Sequence, residues 1–203
     1  MQNLVQNLEN WVKRFCFSAW LPLVAVLFFV QPVYASESAN KKSEHLDLSS
    51  LSLAGIYVMP VEKRVKALNF QLEDLKTGQE VTLSDYRDKV LAINFWATWC
   101  PPCRAEMPAI EVLHRELKDS GLVWLAIDSG EDRAIVDNYI KKYKYTFPVL
   151  LDPENAGVFK YGVQSLPATI IVNKHGYIVA LAFGSVDWRN HDVVAVFRKL
   201  LAE

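Results

Sequence analysis

Apolar stretches suited to strands alternate with helix-like patterns from Val90 to Leu151. They then give way to two strands joined by Lys174-His175-Gly176, which predicts an α/β sandwich on a mixed sheet. Two further observations point the same way. The run Val90-Leu91-Ala92-Ile93-Asn94-Phe95-Trp96 is nearly continuous in apolar residues, as a strand covered on both faces requires. The chain has 203 residues, 51% of them hydrophobic, enough for one buried core in a single domain with a short appendage.

The appendage is N-terminal. Lys13 and Arg14 precede an apolar stretch from Phe15 to Val30, and Val33-Tyr34-Ala35 suits a cleavage site. Residues 1–35 are therefore expected to be a signal peptide cut after Ala35 or, the apolar run being 16 residues long, an uncleaved anchor holding the membrane through residues 15–30. Ser36 to about Asp47 is polar and charged and reads as a tether within a lead-in over residues 36–66. In that lead-in, Leu51 to Met59 allows either an extra docked strand or a loose approach to the domain. The domain itself is expected over residues 67–203.

Its elements follow in order. Phe70–Leu72 and Val81–Leu83 flank the turn-like Lys76-Thr77-Gly78-Gln79 and predict a hairpin. After the central strand, a helix is expected from Pro101 to about Lys118, with Met107, Ile110, Leu113, His114 and Leu117 near helical spacing and Ser120-Gly121 ending it. Pro101 suits the first turn, whereas Pro108 lies inside the pattern and is expected to kink it. Leu122–Ile127 reads as a second buried strand. Glu131–Tyr143 reads as an amphipathic helix with Ile135, Val136, Tyr139, Ile140 and Tyr143 on one face. Phe147–Leu151, Ala168–Val172 and Tyr177–Phe183 complete the strands. A last helix from about His191 to Leu201 is expected to bury Val193, Val194, Phe197, Leu200 and Leu201.

A net charge of −1 and the lack of any Lys/Arg stripe argue against nucleic acid as a partner. The chain carries neither a glycine-rich phosphate loop nor a serine nucleophile elbow. What stands out is its cysteines. Cys16 lies in the apolar N-terminal stretch, which leaves Cys100 and Cys103, at the junction of a strand and a helix, as the thiols of a processed chain. In an oxidising exported compartment such an isolated pair reads as a working dithiol. Zinc would need two more ligands, and His45, His114, His175 and His191 form no paired motif. A purely structural disulfide would close too small a loop to stabilise much.

The position suits thiol exchange, which needs one thiolate to attack and a second thiol to resolve the mixed disulfide. Cys100 at the helix N-cap has unpaired backbone N–H groups and the helix dipole to stabilise its negative charge, and Cys103 lies one turn on, on the same side. Pro101 and Pro102 have no N–H, so donors begin at Cys103. This predicts a modest depression of the Cys100 pKa and a couple that is reducing or intermediate.

The segment Phe95-Trp96-Ala97-Thr98-Trp99-Cys100-Pro101-Pro102-Cys103-Arg104-Ala105-Glu106-Met107-Pro108 resembles the active-site segment of TlpA/ResA-type thioredoxin-like proteins. The likeness runs from about Ala67 to the C-terminus and includes Leu83-Ser84-Asp85-Tyr86 and Ser165-Leu166-Pro167-Ala168-Thr169. It implies a thioredoxin fold with an N-terminal β-hairpin and an inserted αβ element, on a mixed central sheet with helices on both faces. It also implies that Asn94 stands where thioredoxins carry a buried aspartate. Asn94 cannot accept a proton, so Glu106 is the candidate acceptor for Cys103, against the alternative of a solvated helix carboxylate. Pro167 is expected to be cis and to face the dithiol, with the Leu166 backbone contacting substrate in the manner of strand addition. Trp99 is expected to offer a flat apolar surface beside Cys100 or else to pack as an ordinary aromatic. Trp96 is assigned to the core, and Arg104 and Lys89 read as solvated charges.

The resemblance implies an exported thiol-disulfide oxidoreductase without a cofactor. It would reduce disulfide-containing proteins in the periplasm or at the outer face of the cytoplasmic membrane, with service to cytochrome c maturation. Its reductant would be a membrane electron carrier of the DsbD/CcdA kind. Two rivals stay open: net oxidation or isomerisation of disulfides, and Cu(I) binding by the reduced thiolates for oxidase assembly. Peroxidase chemistry is disfavoured, since no Pro-x-x-x-Thr-x-x-Cys arrangement leads to Cys100.

Overall fold

The computed structural model describes residues 55–203, so the expectations for residues 1–35 and for the tether lie outside the described residues. Eight strands form one sheet: β1 (Ile56–Val58), β2 (Gln71–Asp74), β3 (Glu80–Thr82), β4 (Val90–Trp96), β5 (Leu122–Ser129), β6 (Val149–Asp152), β7 (Ala168–Val172) and β8 (Ile178–Phe183). Their spatial order is β1-β8-β7-β4-β5-β6-β2-β3. The three central strands β4, β5 and β6 are parallel, and β7, β8, β1 and the β2–β3 hairpin join antiparallel. The helices are α1 (Pro101–Leu117), α2 (Arg133–Tyr143), α3 (Ala156–Lys160) and α4 (His191–Ala202). This is the thioredoxin fold, with β2–β3 as its leading hairpin and α2–β6 as the added αβ element.

All seven residues of β4 are buried, because β5 and β7 flank it and side chains cover both faces. On one face Ala92 and Trp96 pack with Met107, Ile110 and Leu113 of α1, Trp124 of β5, and Val193, Val196 and Phe197 of α4. On the other, Leu91, Ile93 and Phe95 pack with Leu125, Ile127, Leu150 and Ile170, under Val158 of the short α3 and the Leu83–Tyr86 turn. The stretch Leu51–Met59, open between strand and loose lead-in, holds β1, whose buried Ile56 pairs with Ala182.

Three details differ from the sequence expectation. Helix α1 runs unbroken through Pro108, which sits on the exposed face, where water can satisfy the carbonyl that the proline leaves unpaired. Helix α2 starts at Arg133, and of its expected inner face only Val136 is buried. Ile135 and Tyr143 are exposed, so the helix meets the core along one narrow line, where the Tyr139 ring packs at a tilt against Trp96 with centroids 5.4 Å apart. In α4 it is Val196, one turn beyond Asp192, that joins Val193, Phe197 and Leu200 in the core, while Val194 and Leu201 are half-buried at its margin.

At the end of β6 the buried Asp152 carboxylate accepts hydrogen bonds from the backbone N–H groups of Ala156 (2.7 Å), Gly157 (2.9 Å) and Val158 (3.2 Å), which start α3. Asp152→Ala orphans all three donors. It is expected to lower unfolding stability by about 2 kcal/mol, read from the urea midpoint at unchanged slope.

Candidate active site

The carboxyl ends of β4, β5 and β6 share one pole of the sheet, and the dithiol lies there. Beyond Trp96 the chain turns through Ala97-Thr98-Trp99, closed by the Cys100 N–H on the Ala97 carbonyl at 3.2 Å. Cys100 is the N-cap of α1 with extended backbone (φ −87°, ψ 106°), and Pro101 and Pro102 fill the first helical positions, where a missing N–H costs nothing. The first donor able to reach the cap is the Cys103 N–H, 3.3 Å from Cys100 Sγ. The two sulfurs are joined as a disulfide with Cα atoms 5.3 Å apart. In this oxidised form both cysteines are covered, Cys100 being 3% exposed, because its sulfur turns inward to the cap. The exposed neighbour is Trp99, 66% open to solvent and so a free apolar surface beside the cap; Trp96 is fully buried.

Glu106 is three residues on from Cys103 and only 3% exposed, which rules out the solvated alternative. Its Oε1 accepts from Asn94 Nδ2 at 3.1 Å, and its Oε2 from Trp188 Nε1 at 3.0 Å and from the Val186 N–H at 3.3 Å. Burial pushes the carboxyl up to about 7, against the smaller opposing effect of those three donors. Asn94 also donates to Thr169 Oγ1 at 2.9 Å, across the β4–β7 ladder in which the two residues are partners. Asn94 thus orients the carboxylate.

Sequence reasoning missed Trp188, Val186 and Thr169. Trp188 was detectable in kind: a tryptophan amid Asp187, Arg189 and Asn190, between a strand and a helix, has a polar handle that needs a partner once the ring is buried. Its ring stacks edge-on to Trp124 at 4.8 Å, which aims the indole N–H at Glu106.

The Leu166–Pro167 peptide is cis. The register brings this loop to the dithiol pole, since Ala168 pairs with Phe95, one residue before the end of β4. Pro167 is buried, and its carbonyl accepts from the Gly184 N–H at 2.9 Å. Leu166 is half-buried, and its backbone N–H and C=O make no backbone hydrogen bond among the described residues. Arg104 and Lys89 are exposed. Among the described residues no group of three or more His, Cys, Asp or Glu side chains is arranged to hold a metal ion.

A family model described as the AhpC/TSA family matches residues 64–181. The chain is 37% identical over 121 residues to the thiol-disulfide oxidoreductase ResA of Halalkalibacterium halodurans, covering 60% of this chain and 68% of that protein. It is 37% identical over 120 residues to ResA of Bacillus subtilis, covering 59% and 66%. Among solved structures, a secreted thiol-disulfide isomerase from Corynebacterium glutamicum superposes with a TM-score of 0.67 at 24% identity, covering 73% of this chain and 93% of that one, a likeness of fold. A putative thiol:disulfide interchange protein DsbE from Chlorobium tepidum superposes with a TM-score of 0.60 at 28% identity, covering 70% and 98%.

Proposed function

Because the chain belongs to the AhpC/TSA family and, within it, to the TlpA/ResA-type thiol-disulfide oxidoreductases, we propose that it works as an exported reductase of protein disulfides. Cys100 attacks the substrate disulfide and Cys103 resolves the mixed disulfide. Glu106 takes the Cys103 proton. Trp99, Leu166 and Pro167 form the surface on which substrate lies, with the free backbone groups of Leu166 pairing with an extended peptide. Lys13 and Arg14 ahead of the apolar stretch Phe15–Val30 support export, to the periplasm or the outer face of the cytoplasmic membrane. That compartment calls for a membrane electron carrier of the DsbD/CcdA kind as reductant. Apocytochrome c or a helper protein in its maturation is the substrate class the family suggests.

The direction of the reaction rests on one observation: Pro101 and Pro102 leave the Cys103 N–H as the first backbone donor to Cys100 Sγ. A sparsely solvated thiolate is a poorer leaving group and a weaker stabiliser of the reduced form, so the couple is reducing. Equilibration of the protein with glutathione buffers tests this. The expected potential lies between about −180 and −270 mV, the range from protein disulfide isomerase to thioredoxin. A value near about −120 mV, that of a strong oxidase, would hand the reading to disulfide oxidation.

A further inference from the structure

A second group of buried carboxyls lies at the same pole, outside the site described above. Strand β5 ends in Asp128-Ser129, followed by Gly130 and Glu131. The side chains of Asp128, Glu131 and Asp152 are all buried. Both carboxylate oxygens of Glu131 are committed to one residue of the neighbouring turn: Oε2 accepts from the Thr98 N–H and Oε1 from Thr98 Oγ1. Asp128 supports Glu131 from below, its Oδ1 accepting the Glu131 N–H at 3.2 Å. Gly130 makes the geometry possible, with φ +80° and so little room that a Cβ there would stand 2.9 Å from Asn155 Nδ2.

The turn that Glu131 grips is the only chain between the end of β4 and the attacking cysteine. Only Ala97, Thr98 and Trp99 separate Trp96 from Cys100, and the turn has one internal backbone hydrogen bond, Cys100 N–H to Ala97. We propose that Glu131, seated on Asp128, is a positioning residue for thiol-disulfide exchange, its two-point hold on Thr98 fixing where the Cys100 sulfur stands when it attacks.

The chemistry of the cluster fits this role. A buried carboxylate held by two donors of a single residue restrains both the rotation of that residue and its distance, which one hydrogen bond cannot do. Asp128 is kept well above the usual carboxylate range, first by burial and then by Glu131, with Asp152 of β6 adding in the same sense. Among the described residues its Oδ2 has no hydrogen-bond partner, nor has Nε1 of Trp96, its register partner on β4. Sequence alone offered no signal for this: Glu131 reads as the first residue of an amphipathic helix, but α2 begins two residues later.

The proposal rests on Cys100 being the attacking thiol, and the test separates the two. Full-length reduced protein is reacted with the aromatic disulfide DTNB across pH: a bond forms between Cys100 Sγ and one reagent sulfur as the reagent disulfide breaks, and the other half leaves as thiolate. The titration midpoint reads the Cys100 pKa, and the plateau reads the reactivity of the thiolate itself. Glu131→Ala, which removes both acceptors, is expected to lower the plateau by between about tenfold and a hundredfold, the scale of a misplaced reacting atom. Thr98→Val, which keeps the N–H bond and loses only the hydroxyl, is expected to lower the plateau less and leave the pKa in place, while Thr98→Ser retains the wild-type plateau. The double variant Glu131→Ala with Thr98→Val should match Glu131→Ala alone, since the hydroxyl contact is already lost with the carboxylate. Equal plateaus for Thr98→Val and Thr98→Ser would overturn the proposal even if Glu131→Ala did not fold. So would wild-type plateaus throughout. Mapping the first adduct to Cys103 would instead overturn the assignment of Cys100 beneath it.

Discussion

Serine in place of Cys100 is expected to reduce disulfide exchange to background, and serine in place of Cys103 to strand the substrate as a mixed disulfide on Cys100. The asymmetry follows from the two environments. Cys100 is the N-cap, where its sulfur meets the helix N-terminus and the Cys103 N–H, so its thiolate is favoured. Cys103 is inside the first turn and fully buried, which suits the resolving thiol. A hydroxyl at position 100 cannot form the mixed disulfide at all. A hydroxyl at position 103 lets it form and removes the group that would release it. Affinity capture of Cys103→Ser from its native cells, followed by reductive release and mass spectrometry, reads both the trap and the trapped protein. Equal trapping by both variants would contradict the assigned roles.

Glu106→Gln carries the second large effect, on rate and on stability together. If the carboxylate takes the Cys103 proton, resolution of the mixed disulfide should slow by about a hundredfold or more, the usual contribution of a positioned base. Single-turnover quench of a preformed Cys100 adduct measures this step alone, and an unchanged rate removes Glu106 from the mechanism. With its carboxyl raised to about 7, the wild-type rate should climb as pH rises through that value, while the variant should show no such titration.

Stability has its own signature. Folded Glu106 keeps its proton up to about pH 7, whereas in the unfolded chain it ionises near 4.5. Between those values the folded state binds more protons at this group, so its contribution to stability is greatest below pH 4.5 and falls as pH rises to 7. The full drop from this one group is about 3 kcal/mol. Asp128 acts in the same direction, so Glu106→Gln should flatten the stability curve in part. Thermal unfolding at pH 4.5 and pH 7.5 of both proteins makes the comparison.

Much of the site was readable because its chemistry is local. Cys100 and Cys103 are three residues apart, Pro101 and Pro102 lie between them, and Glu106 is one turn on; α-helical geometry alone relates these positions. The need for a proton acceptor other than Asn94 was likewise visible, since an amide cannot do that work. The partners that tune Glu106 were not. Trp188 is 82 residues away and Thr169 is 75 from Asn94, and such neighbours are set by how α4 and β7 pack on β4. The misjudged inner face of α2 has a related origin: helical periodicity marks which residues align, not how deeply the helix sits. Ile135 and Tyr143 align with Val136 and yet face solvent.

By itself the sequence determined the α/β architecture, the strand–dithiol–helix junction and the class of chemistry, because each is written in hydrophobic period, turn residues and short spacing along the chain. Only the tertiary structure decided that Glu106 is buried with a carboxyl near neutrality, that Leu166-Pro167 lies at the dithiol pole, and that Glu131 grips the turn before Cys100. The physical reason is common to all three. Burial, register and hydrogen bonding between distant segments exist only once the sheet is assembled, and they govern the charge and placement of the groups proposed to carry the reaction.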